Sequence, residues 1–180
     1  MSTSPTSAID AAIEALDDDF NVFSARRNPP DDDALATIEA ALERPLPAAH
    51  RAFMRTWGCM AIIAKESVWP PPVAYEIRPR WQMSYGLEIF GAAPAGHQLS
   101  IITAREALRA RGLAPTLLPL AKQIGAFAYL CADGDALVWL AGPLDVDREP
   151  VDDYETELLR LVAQLVRDKD RIKAEGVQRS

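Results

Sequence analysis

The sequence predicts an α+β fold in a single domain: a mostly antiparallel twisted sheet flanked by N-terminal helices and a long C-terminal helix. Apolar residues recur with helical spacing near both ends of the chain, whereas the middle consists of short apolar runs broken by Gly and Pro. Helices at both ends of several short strands are typical of the α+β class. With 180 residues, 49% of them hydrophobic, the chain can bury one core without disulfides or metals.

The first 32 residues are predicted to form an acidic segment ahead of the main domain, which spans 33–180. Three apolar residues share one face of a short helix over about 8–16: Ile9, Ile13 and Leu16. The triplet Asp17 to Asp19 ends this helix. Because an apolar face is stable only when it is covered, we expect the helix to dock on the domain.

Two further helices are predicted before residue 60. Asp31 to Asp33 stand at the start of the first, over about 33–44, where they suit the positive end of the helix dipole. Pro47 suits the first position of the second helix, and Gly58 ends it. The apolar face of this second helix consists of His50, Phe53, Met54 and Trp57.

Strands are predicted in the middle of the chain from five short apolar runs: Cys59–Ala64, Leu87–Phe90, Leu99–Ile102, Ala126–Ala132 and Ala136–Leu140. The last two flank Asp133-Gly134-Asp135, which predicts a hairpin because glycine readily takes a positive φ in a tight turn. Thr103 is predicted to cap a helix that runs to about Arg111 and stops at Gly112.

The final helix is predicted to begin after Asp152 and Asp153. Its apolar face consists of Leu158, Leu161, Val162 and Leu165. The last turns, Arg167 to Lys173, are almost all charged, so we expect them to project into water.

Negative charge is concentrated at the N-terminus. The chain has a net charge of −7, of which residues 1–33 hold −6, residues 34–150 hold 0 and residues 151–180 hold −1. An acidic protein lacks the positive field that nucleic acids and anionic membranes require, so neither is an expected partner. A basic protein partner suits this charge distribution better.

Neither an export signal nor a membrane span is predicted, and a cytoplasmic location is therefore expected. Acidic residues precede the first basic residue, and the longest apolar stretch, Ala126 to Ala132, is far shorter than the roughly 20 residues of a membrane helix. The two cysteines, Cys59 and Cys131, lie in apolar runs and are expected to be buried, reduced thiols.

The sequence shows none of the residue patterns of a catalytic, cofactor or metal site. The two histidines, His50 and His97, are interpreted as a packed residue and a loop residue, so Ser–His or Cys–His catalysis has no support. Ligand spacings and a glycine-rich phosphate loop are also missing. We therefore predict no enzyme, no cofactor and no metal. An enzyme that uses carboxylates alone would need a deep cleft lined by two of them.

Two groups of residues are candidates for contact with a partner: the acidic triplet Asp17, Asp18 and Asp19, and the aromatic residues Trp69, Trp81 and Tyr85. Clustered carboxylates attract a basic partner and raise its association rate, and large aromatic side chains often anchor interfaces. The alternative is that the triplet is a solvated turn and that the aromatic residues cover one end of the sheet as core.

The run IEAALERPLPAAHRAFMRTWG, from Ile38 to Gly58, resembles the opening signature of the SUKH superfamily. In that signature a helix leads to Leu-Pro, here Leu46-Pro47, and then to an aromatic-rich helix that ends in glycine. Two later blocks, YGLEIFG at 85–91 and the stretch 117–140, are similar to the later strands and hairpin of the family. The chain departs from the family at His50, where tyrosine is usual.

The resemblance implies that residues 33–180 form a SUKH-like binding module without catalysis. Many bacterial members of the superfamily are immunity proteins that neutralise a cognate toxin, often a nuclease, and fungal relatives regulate cell-wall assembly through protein contacts. We therefore expect a cytoplasmic immunity protein that binds a basic toxin domain, as a monomer or weak homodimer. The alternative is a regulatory or scaffolding protein whose partner is endogenous.

Overall fold

The computed structural model of the protein describes residues 8–68, 85–125, 128–142 and 147–177. The helices within these residues are α1 (Ala8–Glu14), α2 (Asp32–Leu42), α3 (Ala48–Trp57), α4 (Ile101–Ala110) and α5 (Tyr154–Val177). The strands are β1 (Phe20–Ser24), β2 (Met60–Ala64), β3 (Gly86–Ile89), β4 (Leu117–Ile124), β5 (Ala128–Asp133), β6 (Ala136–Ala141) and β7 (Asp147–Val151). One 3-10 turn covers Glu66–Val68.

The seven strands form a sheet in which their spatial order equals their order along the chain. Every neighbouring pair is antiparallel, so the sheet is a meander. Helices α2 and α3 are inserted between β1 and β2, α4 is inserted between β3 and β4, and α5 follows β7. The α+β prediction, with its mostly antiparallel sheet and long C-terminal helix, is confirmed.

The core is formed where α5 lies against α1, α3 and strand β3. Met54 of α3, Ile62 of β2 and Leu158 of α5 are fully buried in one hydrophobic cluster. Ile9 and Ile13 of α1 belong to the same cluster, so the N-terminal helix docks on the domain as expected. Each large apolar side chain that is fully buried stabilises the fold by about 1.5–3 kcal/mol relative to exposure.

The predicted helix ends and hairpin agree with the structure. Asp31 caps α2, because its side chain accepts the N–H of Ala34 at 2.8 Å. Gly58 ends α3 with a φ of +69°. In the hairpin, Asp133 pairs with Ala136 across a two-residue turn, and Gly134 takes a φ of +62° there.

The predicted strand at Leu99–Ile102 is wrong, and so is the predicted cap at Thr103. Ser100 caps α4 instead, since its hydroxyl accepts the N–H of Thr103 at 3.4 Å. Ile101, Ala104 and Leu108 then follow at helical spacing and are buried. A four-residue apolar run is compatible with a strand or a helix, and the capping serine decides in favour of the helix.

Strands β1 and β7 lie at the two edges of the sheet, and the residue pattern alone predicts neither of them. In β1, Phe20 is buried whereas Val22 and Phe23 are 40% and 55% exposed, so the strand lacks the regular alternation of a half-buried strand. In β7, Pro150 takes part in the pairing, which is tolerated at a sheet edge.

Strand β4 lies in the middle of the sheet. It falls in the stretch 117–140, which is similar to the later strands of the SUKH family, but the residue pattern alone does not predict it. Pro119 stands inside it, and a bulge shifts the register between Pro119 and Ala121. A proline in a central strand is accommodated at such a bulge, where ladder pairing is already interrupted.

His50 is fully buried and links α3 to α5, in agreement with its interpretation as a packed residue. Its Nδ1 lies 2.6 Å from the hydroxyl oxygen of Tyr154, and the two rings meet edge to face at 5.4 Å. Burial lowers the pKa of His50 from 6.5 to about 3, although the nearby backbone of Phe90 opposes the shift. The imidazole is therefore neutral in the folded protein at neutral pH.

This buried imidazole predicts a specific loss of stability in mild acid. Between pH 6.5 and 3 the unfolded chain binds a proton at His50 that the folded chain does not bind, so the free energy of unfolding falls as the pH falls. From pH 7 to pH 5 the expected loss is about 2 kcal/mol. Urea unfolding at both pH values measures it.

The variant His50→Gln removes the titrating group while keeping a hydrogen-bonding side chain beside Tyr154, so it should lose less stability over this pH range. The variant His97→Gln makes the same substitution in an exposed loop and is the matched control. Identical pH dependence in the parent and in His50→Gln would contradict the assignment.

Candidate protein-binding surface

The acidic triplet forms the turn between α1 and β1. The backbone N–H of Asp19 donates to Oδ1 of Asp17 at 3.0 Å, which closes the turn. The carbonyl of Asp19 accepts the N–H of Lys65 at 2.8 Å, just beyond the end of β2. Backbone bonds therefore fix the triplet at one end of the sheet.

A buried lysine of α5 lies under this turn. The Nζ atom of Lys169 hydrogen-bonds to Oδ2 of Asp17 and lies 3.7 Å from Oδ2 of Asp19 and 3.0 Å from Oδ1 of Asp170. The Lys169 side chain is only 7% exposed. The expectation that residues 167–173 all project into water is therefore wrong at Lys169, because the acidic turn covers it.

A second lysine of the same helix contacts the turn from the solvent side. Nζ of Lys173 lies 2.6 Å from Oδ2 of Asp19, and its side chain is 52% exposed. Lys169 and Lys173 are four residues apart and thus lie on one face of α5. The two ammonium groups join the N-terminal segment to the C-terminal helix.

These contacts change the ionisation of the groups involved. The hydrogen bond from Lys169 lowers the pKa of Asp17, and the same bond raises the pKa of Lys169 against the opposing effect of its burial. Both groups are therefore charged at neutral pH. Asp17 nevertheless keeps 51% of its side-chain surface exposed, so part of its negative charge faces solvent.

The three aspartates of the triplet thus have different surroundings. Asp17 and Asp19 are paired with lysines of α5, whereas Asp18 is exposed and makes no ion pair with another residue of the described ranges. Asp168 and Asp170 of α5 add two carboxylates to the same region, with side chains 38% and 65% exposed. The region is an acidic surface in which two of the carboxylates also hold the fold together.

Tyr85 is brought to this acidic surface by the sheet. Its carbonyl accepts the N–H of Ala64 at 3.1 Å, one residue before the Lys65 N–H that binds Asp19. Its ring meets Phe20 edge to face at 6.5 Å. The hydroxyl group is buried, and no hydrogen bond to it occurs among the described residues.

The electrostatic environment of Tyr85 reflects the same neighbours. Burial raises the pKa of the Tyr85 phenol to about 12; Lys169 opposes this shift, while Asp19 and Asp168 reinforce it. The hydroxyl is therefore protonated at neutral pH and offers one donor and two acceptor lone pairs.

A cleft of about 130 Å³ opens beside Tyr85, between α5 and the adjoining ends of β3 and β4. Its polar lining consists of Tyr85, Gln123, Gln164 and Asp168. Leucines 87, 161 and 165 provide apolar walls. Helix α5 contributes residues 161, 164, 165 and 168, and this spacing places them on one face of the helix.

The structure therefore brings together four of the six candidate residues: Asp17, Asp18, Asp19 and Tyr85. Trp69 and Trp81 lie outside the described residues. Their assignment to a binding surface stays a prediction, as does that of the other four.

Sequence analysis missed Lys169 and Asp168 as members of this surface. Two signals were present: the i, i+4 spacing of Lys169 and Lys173, and the helical spacing that places Gln164 and Asp168 beside the apolar stripe. Neither signal identifies the partner of the lysines, because 152 residues separate Lys169 from Asp17.

The side chains that commonly bind metals are dispersed in the part of the chain that the structure describes. Within those residues no three His, Cys, Asp or Glu side chains are placed to hold a metal ion. Cys59 and Cys131 are buried free thiols, as predicted, and burial raises the pKa of Cys131 to about 12. None of the helices in the described ranges has the length and apolar character needed to cross a bilayer.

The fold has a counterpart among solved structures. The chain is similar to a protein from Pseudomonas syringae pv. tomato of known crystal structure, with a TM-score of 0.51 and 17% sequence identity. The match covers 81% of this chain and 88% of that one. No protein-family profile and no curated protein matches the sequence. At this identity the similarity establishes a shared fold.

The burial of Lys169 predicts that it anchors the N-terminal segment. Replacing it in Lys169→Met removes the ammonium from the carboxylates of Asp17 and Asp19, which then repel each other at the turn. Amide hydrogen exchange in α1 and β1 should become faster, on the order of tenfold, because local opening becomes easier.

The matched control is Lys173→Met, which removes an equal charge from the same helix. Its side chain is half exposed, and exposed ion pairs contribute little to stability. Exchange in α1 should therefore stay close to that of the parent protein. Equal exchange rates in the two variants would contradict the role given to Lys169.

Proposed function

We propose that the protein is a non-catalytic binding module that recognises a basic protein partner through its acidic surface. One observation carries the proposal: Asp168 of α5 lines a cleft beside the buried hydroxyl of Tyr85, and the carboxylates of Asp17 and Asp19 act on that phenol from the α1–β1 turn. Clustered carboxylates attract a basic partner over several ångströms, and a cleft beside them gives the partner a fixed position.

The partner that we propose is a bacterial toxin domain, so that the protein acts as an immunity protein. The SUKH resemblance of the sequence supports this class of function. Nuclease toxins need basic surfaces to hold nucleic-acid phosphates, and an acidic protein that covers such a surface blocks substrate binding without any chemical step. A cytoplasmic location suits this role, since that is where a nuclease meets its substrate.

The proposal predicts that binding depends on charge at the α1–β1 turn. The variant Asp18→Lys reverses an exposed charge that makes no ion pair with another described residue, so the fold should be unaffected. We expect its affinity for the toxin domain to fall by about tenfold at low salt. The affinity of the parent protein should itself decrease when salt is raised from about 0.05 to 0.3 M.

The control is Asp135→Lys, which makes the same change in net charge at the β5–β6 hairpin. The hairpin lies near the start of α5, because Asp135 and Tyr154 line one common groove. From Tyr154 to Asp168 the helix rises about 21 Å, which is more than one Debye length at physiological salt. Asp135→Lys should therefore bind almost as tightly as the parent protein.

The experiment first asks whether a gene beside this one encodes a toxin domain, since an isolated gene would favour the regulatory or scaffolding alternative. Each variant is then titrated calorimetrically with that domain, and co-expression tests whether the protein protects cells from it. Tight, salt-sensitive binding and protection support the proposal. Binding of an endogenous basic protein, with no protection, would instead favour the regulatory or scaffolding alternative. Equal effects of Asp18→Lys and Asp135→Lys would show that the acidic surface is not the contact.

A further inference from the structure

The cleft beside Tyr85 has a size that restricts what can occupy it. Its volume is about 130 Å³, whereas pockets for cofactors and drug-sized ligands measure roughly 300–1,000 Å³. It can hold several water molecules, each of which takes about 30 Å³ in the liquid, or one side chain. A protruding residue of a partner protein is therefore a suitable occupant.

The lining of the cleft indicates an occupant with an apolar stem and a hydrogen-bonding head. Leu87, Leu161 and Leu165 offer apolar contacts that suit a chain of methylene groups. Gln123 and Gln164 line it with amide groups; the Gln164 oxygen already accepts a hydrogen bond from Arg160 at 3.1 Å and can accept one more.

The charged groups around the cleft favour an occupant with a positive charge. Asp168 lines the cleft, and the carboxylates of Asp17 and Asp19 act on the Tyr85 phenol from the neighbouring turn. Lys169 is paired with Asp17 and Asp170, and the more exposed Arg171 lies 3.4 Å from Asp168, so the carboxylates are partly neutralised but still outnumber the basic groups. A negatively charged side chain would be repelled there.

We infer that this cleft receives one lysine side chain of the basic protein partner, whose ammonium group binds to Asp168 and to the hydroxyl of Tyr85. An ammonium has three donors on a compact, rotatable head, and so it suits acceptors that come from different elements. The planar guanidinium of arginine needs acceptors arranged in pairs. The inference rests on the proposed function for the existence of a basic partner.

The Tyr85 hydroxyl is a buried polar group to which the described part of the fold provides no hydrogen bond. A buried hydroxyl without a hydrogen-bond partner lowers stability, and among the described residues the Tyr85 hydroxyl has none. That oxygen is buried in the free protein, so the side chains around it must shift before a lysine in the cleft can donate a hydrogen bond to it. The hydrogen bond then forms only in the complex, where it contributes to affinity.

The cleft can be tested on the free protein with Nα-acetyl-lysine methylamide as the probe. The corresponding norleucine compound is the control, because it keeps the apolar stem and lacks the charge. We expect the side-chain amide NMR signals of Gln123 and Gln164 to shift saturably with the lysine probe and not with the norleucine probe. Equal shifts with both probes, or no saturable shift with either, would overturn the inference.

Two variants separate the contacts in this experiment. Tyr85→Phe removes the hydroxyl and keeps the ring against Phe20, and Asp168→Asn removes one half-exposed charge without changing side-chain size. Each should weaken binding of the lysine probe by about tenfold, as expected for a lost charge-assisted hydrogen bond. The control Asp135→Asn lies outside the cleft and should bind the probe like the parent protein. Unchanged probe binding in both cleft variants would also overturn the inference.

The same variants distinguish failure of this inference from failure of the proposed function. If the toxin domain binds with salt-sensitive affinity and neither Tyr85→Phe nor Asp168→Asn weakens it, the lysine contact is wrong and the immunity role stands. If the lysine probe binds in the cleft and the toxin domain does not bind at all, the lysine contact stands and the immunity role fails.

Discussion

The position of the candidate surface depends on the burial of one ammonium group among carboxylates. Removing a charged group from water costs several kcal/mol, and Lys169, whose side chain is 7% exposed, recovers that cost through its bonds to Asp17, Asp19 and Asp170. Two of these partners belong to the turn that follows α1, so the turn must lie against α5. Strand β1 begins directly after the turn and is thereby placed where it pairs with β2.

The carboxylates of the acidic surface outnumber the lysines of α5. Some of them can therefore form ion pairs within the fold while others could attract a partner. The ammonium groups of Lys169 and Lys173 engage Asp17 and Asp19, Arg171 lies 3.4 Å from Asp168, and Asp18 makes no ion pair with another described residue. An acidic triplet in a sequence therefore does not imply three solvated charges. Part of the net charge of the first 33 residues therefore stabilises the attachment of those residues to the domain, and Asp18 is the member of the triplet that makes no ion pair with another described residue.

The sequence was most informative where structure depends on neighbouring residues. The apolar stripe of α5, the cap at Asp31 and the turn at Gly134 are local patterns, and each was predicted correctly. Strand β4 and the buried state of Lys169 depend on residues distant in sequence, since a bulge accommodates Pro119 and Asp17, which covers Lys169, lies 152 residues away. Local periodicity carries no information on such contacts. For the surface, the sequence identified the acidic triplet and Tyr85 and missed the lysines and the cleft.

Charge and cleft would contribute to different steps of binding, and this difference explains why both features belong to one surface. Carboxylates such as Asp18 act at long range, so they accelerate encounter with a basic protein and depend on salt. A side chain held in the cleft at Tyr85 and Asp168 acts only after contact, so it slows dissociation and is less sensitive to salt. The proposed immunity role would need both properties, because the protein would have to reach the toxin before the substrate does and then remain bound. An acidic surface alone would bind any basic protein, whereas a cleft that accepts one protruding lysine would restrict the choice of partner.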